Sequence, residues 1–381
     1  MKSFKQRLDR DEISGQQHHW REIDGLLGQL LWAQLRDLHF PQRSAGVAEV
    51  KAALGVQDLY GQWLEETLRV LTARGYLDRN GESYSVVDGA APAAEVVWRD
   101  WDARKAAWLT RPTVAAQVAL VEKTLRSLPG ILAGATPATE VLFPNASLEL
   151  VEAIYKDNPI ANYFNETVAE LVVHFIEARL KQDASSRIRI LEVGAGTGGT
   201  SAQVFAKLKP YQDHVEEYCY TDLSRAFLMR GEDAYREQNP YLRTCIFDIE
   251  KPIAGQGVRA GSYDLVIAAN VLHATRHICH TLRNVKAAMR RNGLLLLTEI
   301  SSNSLFYHLT FGLLEGWWLY EDHALRVPGC PALSPEAWRR VLEAEGFRSV
   351  FFPAEEAHEF GQQVIIGESD GVVRQEMARS D

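Results

Sequence analysis

The sequence predicts an α/β fold built on a mostly parallel β-sheet with helices on both faces. Three observations predict it: apolar runs of strand length recur after residue 187, helical segments separate most of them, and glycines follow the first run. Two adjacent parallel strands must be joined by a crossover connection, which is usually a helix. A strand covered by helices on both faces consists of nearly continuous apolar residues.

The composition is that of a globular protein with a sizeable core. The chain has 381 residues, of which 46% are hydrophobic and 24% charged, enough for two or three domains. A formal net charge of −9 without a block of Lys and Arg argues against nucleic-acid binding. The first residues lack the apolar core of a signal peptide, and the apolar stretch 293–297 is far short of the roughly 20 residues of a membrane span. We therefore expect no membrane association and a cytoplasmic location.

The cysteines give no sign of a metal or redox site. The four of them lie far apart and include no C-x-x-C pair: Cys219, Cys245, Cys279 and Cys330. We expect reduced thiols and no bound metal.

The amino-terminal third is predicted to be mainly helical. In residues 1–140 apolar residues recur at helical spacing, and a short alternating segment follows three such helices, which is the outline of a winged helix. Winged helices often bind DNA, but Glu65 and Glu66 lie in the third helix, which carries few cations. We expect a packing or substrate-covering role instead. Residues 141–186 are interpreted as a connecting segment with an amphipathic helix at 162–182.

Residues 187–368 are predicted to form the sheet domain, followed by a polar tail at 369–381. Its strands are expected within seven segments: RIRILEVGAG, VEEYCYTDLS, TCIFDIE, YDLVIAANV, GLLLLTEI, SVFFP and QQVIIGE. An aromatic segment at 304–329, containing Trp317 and Trp318, looks inserted after the fifth strand. It either packs in the core or excludes water around a long acyl substrate.

A glycine-rich loop follows the first predicted strand and precedes a helix. Gly194, Gly196, Gly198 and Gly199 allow a sharp turn and a close approach to a ligand at the positive end of that helix. The spacing fits both the G-x-G-x-G of S-adenosylmethionine sites and the G-x-G-x-x-G of dinucleotide sites. Asp222, 23 residues after Gly199, suits a ribose hydroxyl in either case.

Two carboxylates favour S-adenosylmethionine over a dinucleotide. Glu192 stands two residues before the first glycine, where it would repel a pyrophosphate but tolerate a sulfonium cofactor with an amino group. Asp248 ends the third predicted strand, where it can accept a hydrogen bond from an adenine amino group. These two carboxylates and Asp222 all have a structural alternative, since Glu192 can brace the loop and Asp222 or Asp248 can cap the next segment. We predict an S-adenosylmethionine site.

A histidine and a glutamate stand at the ends of two successive predicted strands. His273 follows YDLVIAAN, and Glu299 closes GLLLLTE. In an open parallel sheet the ligand crevice lies outside the carboxyl ends of the strands. If these strands are neighbours, Glu299 can orient the imidazole and stabilise it when it takes a proton. A lone histidine there is usually structural, but the pair beside a cofactor loop predicts a general base. Such a base suits a carbon acid flanked by two carbonyls, and it also suits a hydroxyl.

Several motifs together resemble the carbon-methyltransferase domains embedded in polyketide synthases. They are ILEVGAGTGGTS, YTDLS, DLVIAANVLHAT, LRNV, GLLLLTEI, LTFGLLEGWWLYED and LSPEAWRRVLEAEGF. The resemblance runs from Leu142 to Gly367, and the region before it matches only in being a helical, lid-like subdomain. It implies a class I S-adenosylmethionine methyltransferase fold with a Rossmann-like, seven-stranded sheet, and methylation of the α-carbon of a β-ketoacyl chain.

The resemblance also implies a partner and a set of site residues. The acyl chain would be a thioester on the phosphopantetheine arm of an acyl carrier protein, beside other polyketide synthase domains. His273 and Glu299 match the catalytic dyad, Tyr163 matches a tyrosine of the substrate site, and Trp317 and Trp318 are assigned to that site. The predicted cofactor contacts are Glu192, Gly194, Gly196, Asp222, Leu223, Asp248, Ile249 and Asn270. The product from the cofactor would be S-adenosylhomocysteine.

Three other functions compete with this interpretation. An oxygen-methyltransferase acting on a polyketide or a related acyl chain is the nearest alternative. A non-catalytic domain that binds S-adenosylmethionine and serves only docking is disfavoured, because it has no chemical need for a His–Glu pair. A nicotinamide oxidoreductase is the least favoured. An excised domain and a free-standing enzyme both fit the sequence.

Overall fold

The structure is a computed structural model that describes residues 10–87, 92–155 and 158–374. Contacts between residues group the chain into two compact units. The helical unit comprises the described residues up to Pro159 together with Asn303–Trp318. The sheet unit comprises Ile160–Ser302 and the described residues from Leu319 onward.

The described residues form thirteen α-helices and ten β-strands. The helices are α1 (Arg10–Asp37), α2 (Val47–Leu54), α3 (Gly61–Ala73), α4 (Ala94–Leu109), α5 (Ala115–Leu132), α6 (Ala138–Leu142), α7 (Glu149–Tyr155), α8 (Pro159–Gln182), α9 (Gly199–Leu208), α10 (Arg225–Tyr235), α11 (Ile278–Ala288), α12 (Leu305–Leu309) and α13 (Pro335–Ala344). The strands are β1 (Ala45–Gly46), β2 (Leu77–Asn80), β3 (Ser83–Val86), β4 (Ile188–Val193), β5 (Val215–Asp222), β6 (Leu242–Ile246), β7 (Tyr263–Ala269), β8 (Met289–Ile300), β9 (Phe347–Phe351) and β10 (Gln362–Ser369).

The helical unit begins with the element order that the sequence pattern predicts. Three helices, α1 to α3, precede a hairpin of β2 and β3, and the two-residue β1 adds a third antiparallel strand in the order β1-β3-β2. Three tryptophans, Trp32, Trp63 and Trp101, are fully buried in the core of this unit. Large aromatic side chains bury much apolar surface each, so they anchor the packing of the helices of this unit.

The sheet unit contains seven strands in the order β6-β5-β4-β7-β8-β10-β9. The first five run parallel, whereas β10 is antiparallel to both β8 and β9. Each strand falls within or overlaps one of the seven predicted segments, and the predicted fold class is confirmed. The chain runs outward from β4 to β5 and β6 on one side and then returns to β7 on the other. The strand order thus reverses between β4 and β7. In open sheets of this kind, ligands bind outside the carboxyl ends of the strands at such a reversal.

The two units do not coincide with the predicted domain boundaries at 140 and 187. The helical unit extends to Pro159, because Ile154 of α7 packs in the core of that unit, whereas α8 belongs to the sheet unit. The aromatic segment 304–329 is divided after Trp318. Residues up to Trp318 contribute buried side chains to the helical core, and the rest belong to the sheet unit.

The predicted polar tail is held to the sheet unit in its first residues. Ser369 is the last residue of β10, and the buried Lys286 ammonium on α11 donates to Asp370 Oδ1 at 2.8 Å and to the Val372 carbonyl at 3.2 Å. The rest of the tail, residues 375–381, lies outside the described residues. Within the described part of the chain, no helix is both long enough and apolar enough to cross a membrane.

Candidate active site

The glycine loop lies between β4 and α9 and requires glycine at its first position. Gly194, Gly196 and Gly198 have φ angles of 61°, 55° and 78°, in the left-handed region that favours glycine. A Cβ atom on Gly194 would lie 2.6 Å from Cγ2 of Val271, in the segment after β7. The loop therefore packs directly against the chain that carries His273.

Asp222, the last residue of β5, is bonded to the glycine loop. Its Oδ2 accepts a hydrogen bond from Gly196 N at 2.9 Å, and its Oδ1 accepts one from Ser224 N at 2.8 Å. The carboxylate thus ties the loop to β5 and caps the turn into α10. Leu223 beside it is 67% exposed, although it is a large apolar residue. The predicted contacts of both residues with the cofactor stay predictions.

Glu192 is buried in β4 and makes contacts within the protein. Its Oε2 accepts hydrogen bonds from Ser201 Oγ on α9 and from Tyr218 OH on β5, both at 2.7 Å. Burial raises the pKa of the Glu192 carboxyl from 4.5 to about 7, and the nearby Asp222 adds to this effect. These contacts match the alternative role in which Glu192 braces the glycine loop. They join β4, β5 and α9 next to that loop. Neither Ser201 nor Tyr218 was predicted from the sequence.

We expect the Glu192→Gln substitution to stabilise the protein above pH 7. A carboxyl whose pKa is raised by folding stabilises the native state below about pH 4.5, and this contribution is lost as the pH rises to about 7. The pKa shift corresponds to roughly 3 kcal/mol in the free energy of unfolding. Because glutamine does not ionise, the variant does not lose this contribution at high pH. Urea denaturation at pH 5 and pH 8 without cofactor measures it, with the exposed Glu65→Gln as the control. An equal stability difference between mutant and wild type at both pH values would contradict the prediction.

Asp248 and Ile249 follow β6 and are held by local contacts. Asp248 Oδ1 accepts from Glu250 N at 3.1 Å, and its Oδ2 lies 2.8 Å from Lys251 Nζ. Asp248 therefore caps the following turn, as the structural alternative proposed. Ile249 is buried, and its carbonyl accepts from Asn284 Nδ2 at 2.8 Å. Hydrogen bonds from an adenine amino group to Asp248 remain a prediction.

Asn270 supplies an acceptor that an amino-group ligand would satisfy. Its φ of 55° places it in the left-handed region at the end of β7, and its backbone N donates to the Thr298 carbonyl at 2.6 Å. Within the described residues, the buried Oδ1 atom of Asn270 has no hydrogen-bond partner. A buried polar atom without a partner costs free energy that a ligand can offset. Together with the glycine turn, Asp222 and the exposed Leu223, this acceptor fits S-adenosylmethionine.

His273 and Glu299 lie side by side at the carboxyl ends of neighbouring strands. β7 and β8 pair in parallel, with Ala269 opposite Thr298, which confirms the adjacency on which the prediction depended. His273 sits in a single 3-10 turn after β7, and its Nδ1 lies 2.5 Å from Glu299 Oε2. Glu299 is fully buried, and its Oε1 accepts from Leu272 N at 2.8 Å.

This geometry sets the chemistry of the imidazole. A carboxylate only accepts hydrogen bonds, so the ring nitrogen that faces Glu299 is the one that carries the proton. The other nitrogen, Nε2, is then the basic one, and Glu299 stabilises the imidazolium that forms when Nε2 takes a proton. Among the described residues, no group of three or more His, Cys, Asp or Glu side chains is arranged to hold a metal ion.

The predicted substrate residues are divided between the two units. Tyr163 on α8 belongs to the sheet unit, where its hydroxyl donates to Glu356 Oε1 at 3.3 Å. Burial and the Glu356 charge raise the pKa of Tyr163 to about 12, so it is a neutral hydrogen-bond donor. Trp317 and Trp318 belong to the helical unit. Trp317 is buried and nearly parallel to Phe311 at 6.4 Å, and Trp318 Nε1 donates to the Gly312 carbonyl at 2.7 Å.

Comparison with known proteins gives consistent matches. Residues 191–295 match the family model described as a methyltransferase domain. The chain is 50% identical over 356 residues to the polyketide synthase PksM of Bacillus subtilis, an alignment that covers 93% of this chain and 8% of PksM. The chain therefore spans less than a tenth of the length of that relative.

Two crystal structures resemble almost the whole chain. One is the DszA carbon methyltransferase, with a TM-score of 0.87 and 34% identity, covering 96% of this chain and 93% of that one. The other is the CurJ carbon methyltransferase, with a TM-score of 0.80 and 30% identity, covering 92% of this chain and 93% of that one. These matches include both the helical and the sheet unit.

Proposed function

Because this chain belongs to the carbon-methyltransferase domains of polyketide synthases, we propose that it methylates the α-carbon of a β-ketoacyl thioester. The methyl donor is S-adenosylmethionine, and the thioester is held by the phosphopantetheine arm of an acyl carrier protein. The observation that carries the proposal is the His273–Glu299 pair, which lies at the ends of β7 and β8 beside the glycine loop.

The dyad suits the removal of a proton from a carbon flanked by two carbonyls. Glu299 holds His273 Nδ1, so Nε2 accepts the proton from the α-carbon of the substrate. The negative charge left on the substrate is delocalised over both carbonyl oxygens, which makes this carbon easier to deprotonate than one beside a single carbonyl. S-adenosylmethionine, when bound, supplies an electrophilic methyl group on its sulfonium for that carbon.

The residues around the glycine loop would hold the cofactor. Asp222 suits the ribose hydroxyls, and Leu223 supplies an exposed apolar surface for the adenine ring. Asn270 Oδ1, which has no hydrogen-bond partner among the described residues, would accept from the amino group of the methionine part. Glu192 acts behind the loop, since its contacts with Ser201 and Tyr218 hold the glycines in place.

Neighbouring domains of a polyketide synthase are the partners that the proposal implies. PksM is far longer than the segment that matches this chain, so the matching segment lies among other domains there. The acyl carrier protein that brings the substrate is one of these partners, and other synthase domains would flank the chain.

The mass of the carrier protein tests the proposal. A β-ketoacyl carrier protein incubated with the enzyme and S-adenosylmethionine should gain one methyl group, and fragmentation should place it on the α-carbon. The His273→Ala variant is the matched control and should give no gain. No gain on β-ketoacyl carriers, with a gain on a β-hydroxyacyl carrier, would instead show an oxygen-methyltransferase. No gain on either, with tight cofactor binding, would indicate a docking domain.

A further inference from the structure

We infer that Arg326 is a positioning residue for the general base, a role that rests on the function proposed above. Arg326 lies in the second part of the aromatic segment, which belongs to the sheet unit, and its side chain is 1% exposed. Its guanidinium bonds to the Asp322 carboxylate and to backbone carbonyls. Through these carbonyls it acts on the backbone of the turn that carries His273.

The Arg326 guanidinium donates to the carbonyls of that turn. Nη1 donates to the His273 carbonyl at 2.8 Å, and Nη2 donates to the Thr275 carbonyl at 2.9 Å. Nη1 also donates to the Pro331 carbonyl at 2.8 Å. One planar cation therefore satisfies three buried carbonyls at once, two of them in the turn after β7.

Asp322 fixes the guanidinium and the start of the next helix together. Its Oδ1 lies 2.5 Å from Arg326 Nε, and its Oδ2 accepts from Ile278 N, at the first residue of α11, at 2.7 Å. The adjacent Glu321 adds a backbone bond, because Glu321 N donates to the Arg276 carbonyl at 2.9 Å. Residues 321–326 thus hold the chain from His273 to Ile278 along its whole length.

The imidazole consequently has two independent anchors. Glu299 fixes Nδ1 of the ring, and Arg326 fixes the carbonyl of the same residue. Because both the ring nitrogen Nδ1 and the backbone carbonyl of His273 are held, the direction of Nε2 is fixed. A displacement of a catalytic group by about 1 Å can cost about 100-fold in rate, so loss of the backbone anchor should lower kcat without removing the base itself.

The Arg326→Lys substitution tests whether the positive charge or the hydrogen-bond geometry of Arg326 matters. A lysine side chain at this position would keep a cation beside Asp322, but a single ammonium cannot bridge the carbonyls of His273, Thr275 and Pro331 in one plane. We expect this variant to lose about 100-fold in kcat, with little change in KM or in S-adenosylmethionine affinity.

The matched control is Arg283→Lys. Arg283 pairs with Glu345 through two hydrogen bonds at 2.9 and 3.0 Å and lies outside the turn of His273. The control therefore makes the same chemical change to a paired arginine without touching the backbone anchor of the base.

Amide hydrogen exchange of the peptide covering residues 272–276 supplies a readout that needs no substrate. Faster exchange there in Arg326→Lys than in Arg283→Lys, together with the fall in kcat, would support the inference. Unchanged exchange, or a kcat within about 3-fold of the control, would overturn it. Failure of the wild type to methylate any carrier-bound substrate would contradict the proposed function, whereas the exchange result would still decide whether Arg326 anchors the turn. If Arg326→Lys does not fold, Asp322→Asn receives the same two measurements with the same criteria.

Discussion

The His273→Ala variant is expected to lose about 10³-fold in kcat while its affinity for S-adenosylmethionine changes less than about 2-fold. The reason is that alanine removes the imidazole, and with it Nε2, the atom that takes the α-proton in the proposed mechanism. The predicted cofactor contacts lie around the glycine loop, at the ends of β5 and β6 and at Asn270 after β7, and the substitution changes none of these side chains. Steady-state kinetics on a β-ketoacyl carrier and calorimetric titration with cofactor measure the two effects.

The loss of the base should also be visible without methyl transfer. Wild-type enzyme without cofactor should exchange a deuterium label at the substrate α-carbon with water, and His273→Ala should not. His280→Ala is the control, since His280 lies on α11 and forms no part of the dyad. A His273→Ala enzyme that kept one tenth of the wild-type rate would rule out His273 as the base.

The Glu299→Gln variant is expected to lose about 10³-fold to 10⁴-fold in kcat although it is nearly isosteric. The carboxamide can still accept from Leu272 N through its oxygen, as Glu299 Oε1 does at 2.8 Å. Its NH₂ group then faces His273 Nδ1, where the carboxylate oxygen lies at 2.5 Å. A ring nitrogen that faces a donor must be unprotonated, so the proton moves to Nε2 and blocks the atom that should act as the base.

Nitrogen NMR of the imidazole distinguishes this tautomer effect from general damage. In wild-type protein His273 should be protonated at Nδ1, and in Glu299→Gln at Nε2. Thermal unfolding of both proteins controls for the loss of a buried charge. An unchanged tautomer with full activity would show that Glu299 does not orient the base.

Elements whose signal lies within one stretch of sequence could be predicted. The seven strands, the glycine loop and the winged-helix outline each depend on local apolar periodicity or on glycine spacing. The His273–Glu299 pair could also be predicted, because parallel strands in an α/β sheet bring their carboxyl ends to one edge. Contacts between distant residues that no such rule of strand arrangement brings together could not be predicted. Arg326 reaches the turn of His273 across 53 positions, and Tyr218 reaches Glu192 across 26.

The roles of the two carboxylates near the glycine loop and after β6 were also harder to predict than their positions. Glu192 and Asp248 stand where the sequence predicts a cofactor site, yet their described hydrogen bonds and ion pairs go to Ser201, Tyr218 and neighbouring residues in the chain. A carboxylate next to a glycine loop can hold the loop or hold a ligand, and the residue type is the same in both cases. Only the three-dimensional neighbours separate these roles.

The helical unit is assembled from two stretches of chain, and this has a consequence for recombination between synthases. Four residues of the second stretch, Leu305, Phe306, Leu309 and Leu313, are buried in the core formed by the first. Each such side chain left in water costs roughly 1.5–3 kcal/mol. A crossover at residue 159 alone would therefore pair a foreign helical region with the wrong core segment. The two stretches therefore have to be exchanged together. Gene fusions that transfer both stretches should give folded protein, and fusions that transfer only one should not.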